Sequence, residues 1–318
     1  MKFLSGLKSS LFATTSDVLF SEKRLEHLVQ GLKKGDGLNT EITVEIEQLS
    51  LAERWMLLQH VLNETKRVAF NYLHIPKTGG TSLGETLAND KHVDIVSVDA
   101  LPVVFARQIS RLYNTTQLPV MVRAHHSLQF SALLIAKGLF TTSFLTYRNP
   151  IDIHVSNINM IIRRLVAYEA GEVLTEPEIQ FCREWLSKLT TGFADTEQFA
   201  VKLANSDAYL QAMGNIYARN LNTANWQKLV KQKSLLVLDT SDIDRVFNRV
   251  FKYEKVPLRK NVSHDKWLTV DCLTPEVKQR LQSKDVKVVD FLNRHLSDAD
   301  EFCIRLEDVC NKARLQNV

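Results

Sequence analysis

The chain has 318 residues, 45% hydrophobic and 24% charged, which is ordinary globular composition with length enough for a substantial core. Its net charge is +4 with the basic residues dispersed, so it carries no nucleic-acid-binding tail. Four cysteines without a Cys-x-x-Cys pair exclude a disulfide scaffold; Cys303 and Cys310, seven apart, suit one face of a helix as buried free thiols.

The first twenty residues, "MKFLSGLKSSLFATTSDVLF", fail as a secretory signal because Ser5, Gly6 and Lys8 interrupt the apolar run. Serines and the lack of acid before Asp17 fit an organelle transit peptide, but the absence of arginine before Arg24 does not, and a cytoplasmic protein is expected. Residues 1–66 read as an N-terminal helical segment. Leu25, Leu28 and Leu32 repeat at helical spacing behind a Ser21 cap, Gly35-Asp36-Gly37 turns the chain, and "SLAERWMLLQHVL" resumes the helical period.

From residue 67 to 318 the pattern is that of an α/β domain. Short β-rich runs begin at Val68, Val93, Pro119, Thr142 and Ser234, with helical stretches at 82–89, 100–112, 129–137 and 151–170 between them. Continuous apolar strands alternating with helices predict a mostly parallel sheet flanked by helices on both faces. Residues 127–147 hold one charge, Lys137, but their serines, threonines and Gly138 favour a short helix followed by a buried strand over a membrane span. A helical insertion fills 175–232. Thr274-Pro275-Glu276 then opens a helix running to about 296 and packing on the sheet.

At 74–87 the chain reads "HIPKTGGTSLGETL", a glycine turn between a strand and a helix. Such a junction binds anions: free N–H groups and the helix dipole face the ligand, Gly79 and Gly80 allow close approach, and Thr81 and Ser82 add hydroxyls. Read alone, the stretch also fits a plain surface turn. Lys77 precedes both glycines, so this is not the nucleotide-triphosphate motif, in which lysine follows the last glycine.

The order Pro-Lys-Thr-Gly-Gly-Thr-Ser resembles the 5′-phosphosulfate loop of sulfotransferases that use 3′-phosphoadenosine 5′-phosphosulfate (PAPS), in particular the branch of the carbohydrate sulfotransferases. The resemblance implies a P-loop-like sulfotransferase fold. It makes Lys77 the contact to the bridging oxygen and leaving phosphate, and Thr78, Gly79, Gly80, Thr81 and Ser82 the cradle for the 5′-phosphate and sulfonate. The family also has an arginine at a later strand end and a serine eight residues on, holding the 3′-phosphate; "YRNPIDIHVS" supplies Arg148 and Ser156. A weaker match in "PLRKNVSHDKW" suggests Arg259 and Lys260 as further 3′-phosphate contacts, although a solvated basic loop reads the same way. The resemblance spans roughly residues 67–300.

Sulfuryl transfer needs a base opposite the leaving group. Family members similar to this chain often carry Gly-His at the third strand end, which aligns with Ala124-His125 and makes His125 the base and His126 the fallback. His74 reads as a buried prop, and Asp99 as a lesser base or an orienter of the acceptor. No metal is implied. The acceptor is a hydroxyl, a carbohydrate favoured over lipid, peptide or small molecule, with Trp185, Tyr209, Tyr217, Arg219 and Trp226 of the insertion on its side. Two other readings stay open: a nucleotide-dependent kinase, for which Asp239 is the one fair magnesium ligand, and a non-catalytic nucleotide-binding module. The glycosylation triplets at Asn63, Asn114 and Asn261 carry little weight without a secretory signal.

Overall fold

A computed structural model of the chain describes residues 22–34, 40–78, 83, 87, 93–114, 118–125, 128–188, 196–221, 223, 225–252 and 267–316. The proposed Ser21 cap, the Gly35-Asp36-Gly37 turn, Gly79, Gly80, Thr81, Ser82, His126, Arg259, Lys260 and Asn261 lie outside the described residues. Three helices come first: α1 (Glu22–Lys33), α2 (Thr40–Glu47) and α3 (Leu51–Thr65). A capping box starts α3, with Ser50 accepting the Glu53 N–H and Glu53 reaching back to the Ser50 N–H.

Each expected apolar run forms a strand: β1 (Ala69–Leu73), β2 (Asp94–Ser97), β3 (Val120–Ala124), β4 (Thr142–Tyr147) and β5 (Leu236–Asp239). They make one parallel sheet in the order β2-β3-β1-β4-β5. All residues of the central strands β1 and β4 are buried, as a sheet covered on both faces requires. Between strands run α4 (Pro102–Asn114), α5 (Leu128–Ala136) and α6 (Pro150–Glu169). The insertion contributes α7 (Glu176–Lys188), α8 (Thr196–Asn205), α9 (Asp207–Met213), α10 (Ile216–Asn220) and α11 (Trp226–Lys231), and the chain continues with α12 (Ile243–Phe251), α13 (Pro275–Gln282), α14 (Val286–Asn293) and α15 (Ala299–Leu315). No helix among the described residues is long and apolar enough to cross a membrane. Residues 127–147 resolve into α5 and β4, as their polar punctuation predicts.

Alternation along β1 divides the core. Ala69 and Leu73 join a cluster with Val122, Leu145 and residues of α1–α5, α10, α11 and α14, whereas Phe70 and Tyr72 join Leu83, Leu87, α12 and α15 on the other face. The N-terminal helices therefore bury Leu28, Leu32, Ile46 and Leu57 in the same cluster as the sheet. A third cluster is built on α6, from Ile158, Ile161, Ile162 and Leu165 with Trp185, Phe199, Leu203, Tyr209, Val277 and Leu281.

Two expectations fail here. The helix predicted from 275 to 296 breaks into α13 and α14, and α13 packs on α6 rather than on the sheet. The break holds Asp285, a buried carboxylate that accepts the N–H groups of Tyr217 (3.0 Å) and Ala218 (2.9 Å) at the start of α10. A buried carboxylate must find donors, and Asp285 finds them in the first turn of α10. The insertion's aromatics, assigned to the acceptor side, are core instead: Trp185, Tyr209, Tyr217 and Trp226 are all buried, and Arg219 donates to the Ala212 carbonyl (3.1 Å).

Candidate functional site

After β1 the chain leaves toward one edge of the sheet, to β2, and after its neighbour β4 toward the other, to β5. Connections that diverge from adjacent strands open a crevice beyond the strands' carboxyl ends, where ligands of open parallel sheets bind. Lys77 and Thr78 follow the carboxyl end of β1, and Arg148 follows that of β4.

On the β1 side, Ile75-Pro76-Lys77-Thr78 forms a tight turn. The Thr78 N–H (3.3 Å) and Thr78 hydroxyl (2.7 Å) both donate to the Ile75 carbonyl. Proline at the second position suits such a turn, and a left-handed residue at the third normally means glycine. Lys77 occupies that third position with φ +67°. The other left-handed lysines, Lys66, Lys233 and Lys252, sit where helices end; Lys77 does not. Its backbone holds a conformation that costs a side-chain-bearing residue roughly 1–2 kcal/mol. The turn is tied to β4 by buried hydroxyls: the Thr146 hydroxyl donates to the Thr78 carbonyl (3.0 Å), lies 2.6 Å from Thr78 Oγ1 and is 3.0 Å from the Tyr72 hydroxyl.

On the β4 side, the Arg148 guanidinium donates through Nη1 to the Lys77 carbonyl (3.1 Å), joining the two motifs directly. Its backbone is held by Tyr217, whose hydroxyl accepts the Arg148 N–H (2.8 Å) and donates to the Arg148 carbonyl (2.7 Å) while the ring stacks on Tyr147 at 5.6 Å. Asn149 and Pro150 begin α6, the Asn149 side chain accepting the Ile151 N–H (2.9 Å). Ser156 is half-buried on α6. One turn on, the buried Asn159 donates to the Leu268 carbonyl (2.8 Å) and accepts its N–H (3.0 Å). This pins Leu268 against α6, one turn from Ser156.

The field here is positive. Burial, followed by the guanidinium groups of Arg164, Arg163 and Arg148, pulls the Lys77 ammonium down to about 8. Among the described residues no carboxylate forms an ion pair with Lys77, Arg148 or Arg163.

Beyond β2 and β3 stands a second constellation. One oxygen of Asp99 accepts both the backbone N–H of His125 (2.7 Å) and a contact from its Nδ1 (2.7 Å). The His125 side chain is 43% exposed. Burial would raise the Asp99 carboxyl, but the hydrogen bonds from His125 outweigh it and hold the group below its usual range. The His74 ring lies 4.1 Å from that of His125. Burial first, then His125 and Arg123, hold His74 down at about 3, so it stays neutral, as expected of a buried prop.

Sequence reasoning missed Asn159 and the roles of Tyr217, Thr146 and Asp285, since each acts on backbone far away in the chain. Elsewhere, a cleft of about 350 Å³ between Gln59, Leu62, Lys66, Leu134 and Gly138 opens at the opposite, amino end of the strands. It lies at the carboxyl ends of α3 and α5, where helix dipoles oppose an anion, and contains none of the candidate residues. His27, Glu41 and Glu45 bring ligand-type atoms within 4.8 Å of one another on the exposed face of α1 and α2. Comparisons with protein-family models, with curated proteins and with solved structures found no match.

Proposed function

We propose that this chain is a PAPS-dependent sulfotransferase of P-loop-like fold, transferring a sulfonate from PAPS to a hydroxyl acceptor, with a carbohydrate acceptor favoured. The observation that carries the reading is the direct bond from Arg148 to the Lys77 carbonyl between the ends of β1 and β4, where Lys77, Arg148 and Arg163 have no carboxylate ion-pair partner among the described residues and only Arg164 of the neighbouring cations is paired, with Glu178 (3.9 Å). A donor with one phosphate on the sulfonate-bearing side and another on the ribose needs two anion sites held at a fixed separation. Lys77 and Arg148, from adjacent strand ends, meet that need. A strained backbone at Lys77 is of the kind retained where it serves a ligand.

In the proposed reaction the acceptor O–H gives its proton to His125 as the oxygen attacks sulfur. The S–O bond to the 5′-phosphate breaks in line, and its electron pair goes to the bridging oxygen. Lys77 neutralises that developing charge, while Arg148 and Ser156 hold the 3′-phosphate, with Arg259 and Lys260 as further contacts. Thr78 to Ser82 cradle the 5′-phosphate and sulfonate. The kinase reading is weakened by Asp239, whose carboxylate accepts the Ser241 N–H (2.8 Å) and hydroxyl (2.7 Å) and so serves as a cap.

Calorimetric titration with 3′-phosphoadenosine 5′-phosphate, AMP and ATP–magnesium tests the proposal. Micromolar binding that requires the 3′-phosphate and weakens in Arg148→Ala is the expected result. Preference for ATP with magnesium, or no binding of the bisphosphate, would overturn it.

A further inference from the structure

We infer that Asp99 is a positioning residue: its carboxylate fixes the proton of His125 on Nδ1, leaving Nε2 bare as the acceptor at the carboxyl end of the sheet. The reaction Nε2 would serve rests on the sulfotransferase reading above; the tautomer does not.

An ionised carboxylate only accepts, so a neutral imidazole whose Nδ1 lies 2.7 Å from Asp99 Oδ2 carries its hydrogen on Nδ1. The same oxygen takes the His125 backbone N–H, so ring and main chain are gripped together. Asp99 is itself fixed from a distance. Arg54 on α3 donates through Nη1 to the carbonyls of Val98 (3.3 Å) and Ala100 (2.7 Å), bracketing Asp99, and its guanidinium lies 5.5 Å from the centre of the Phe105 ring. This gives the N-terminal helical segment a role, as the clamp on the loop that orients the base.

Among the described residues, the charged or titratable groups around His125 are Asp99 from the loop after β2, His74 and Lys77 from the loop after β1, Arg123 on β3 and, behind Asp99, Arg54 on α3. His74, its ring 4.1 Å from that of His125 and tilted to it by 43°, is neutral and adds no positive charge against a protonated His125. In the step itself the acceptor proton moves to Nε2 as the O–S bond forms and the S–O bond to the leaving phosphate breaks. Asp99 keeps its charge, faces the imidazolium and takes no proton.

Nitrogen–proton correlation spectra of histidine-labelled protein, with His125 assigned by His125→Asn, read the tautomer directly and need no substrate. The wild type should show His125 with hydrogen on Nδ1, and Asp99→Ala, which removes the accepting oxygen, should move the population to Nε2–H. Turnover should fall on the order of 10²–10⁴-fold in Asp99→Ala, with partial recovery in Asp99→Glu. Arg54→Met, remote from the ring, should broaden the tautomer distribution. Hydrogen on Nε2 in the wild type, or a tautomer unchanged by Asp99→Ala, would overturn the inference whatever the turnover. The Nδ1 tautomer in a protein that ignores the bisphosphate would sink the sulfotransferase reading and leave this one standing.

Discussion

The two ends of the sheet treat positive charge in opposite ways. At the amino end Arg67 is almost completely buried and fully engaged: it pairs with Asp94 and donates to the carbonyls of Leu112 (3.3 Å) and Leu118 (2.7 Å). Asp94 also pairs with Arg111 (3.0 Å), so strands β1, β2 and β3 start from a closed network of charges. At the carboxyl end Lys77, Arg148 and Arg163 lie close together with no carboxylate partner among the described residues, and Lys77 bears a depressed ammonium and a left-handed backbone. Buried charge that is paired within the fold has no partner left to seek. Cations gathered without a counter-charge raise the free energy of the empty protein, and an anion relieves it.

The sharpest way to break the contrast is Asp94→Ala, which leaves buried Arg67 uncompensated and should cost about 3–5 kcal/mol of unfolding free energy in urea titrations. Lys77→Ala should do the reverse. Stability should stay within about 1 kcal/mol of wild type, while sulfonate transfer falls on the order of 10²–10³-fold, as when one preorganised transition-state donor is lost. A Lys77 variant that unfolds readily but turns over normally would erase the distinction between the ends.

Smaller effects sharpen it. Arg148→Ala should weaken bisphosphate binding by about 1.5–3 kcal/mol in calorimetry, the range for hydrogen bonds to charged groups. Tyr217→Phe should weaken binding by less and lower stability by about 1–3 kcal/mol, because the buried Arg148 N–H loses its partner. Protonation gives the smallest and most diagnostic signals. As a base depressed to about 8, Lys77 is cationic below that pH and neutral above it, so bisphosphate affinity in wild type should decline as pH rises through 8, and the decline should vanish in Lys77→Ala. His74 works at the acid side: folded it resists protonation to about 3, unfolded it accepts a proton below about 6.5, so its share of stability is present above 6.5 and is lost as pH falls toward 3.

Much of the architecture was legible in the chain because its signals are local. Runs such as "AFNYL" and "TSFLTY" are free of charge and set large apolar side chains on both alternating faces, as a strand in the middle of a covered sheet does. Thr274 and Pro275 announce a helix start through their own chemistry, and Thr274 does accept the Val277 N–H (3.4 Å). The insertion's aromatics were misread because composition does not distinguish a ring facing a ligand from one facing a core. Tyr217 is placed by Tyr147 and Asp285, both about 70 residues away. Asp285 likewise sits in the break between α13 and α14, engaged by backbone N–H groups 67 and 68 residues away.

By itself, then, the sequence determined which segments become strands, where several helices are capped, and which residue types stand at the two strand–helix junctions, since these follow from side-chain pattern and backbone preference within a few residues. Tertiary structure alone decided that the Lys77 turn and Arg148 meet, that Asp99 grips His125 from 26 residues away, and that Arg54 of the N-terminal helices braces the loop between them. The reason is physical: a hydrogen bond needs its partners within about 3 Å, and strand order, which brings β1 beside both β3 and β4, sets that distance where sequence separation does not.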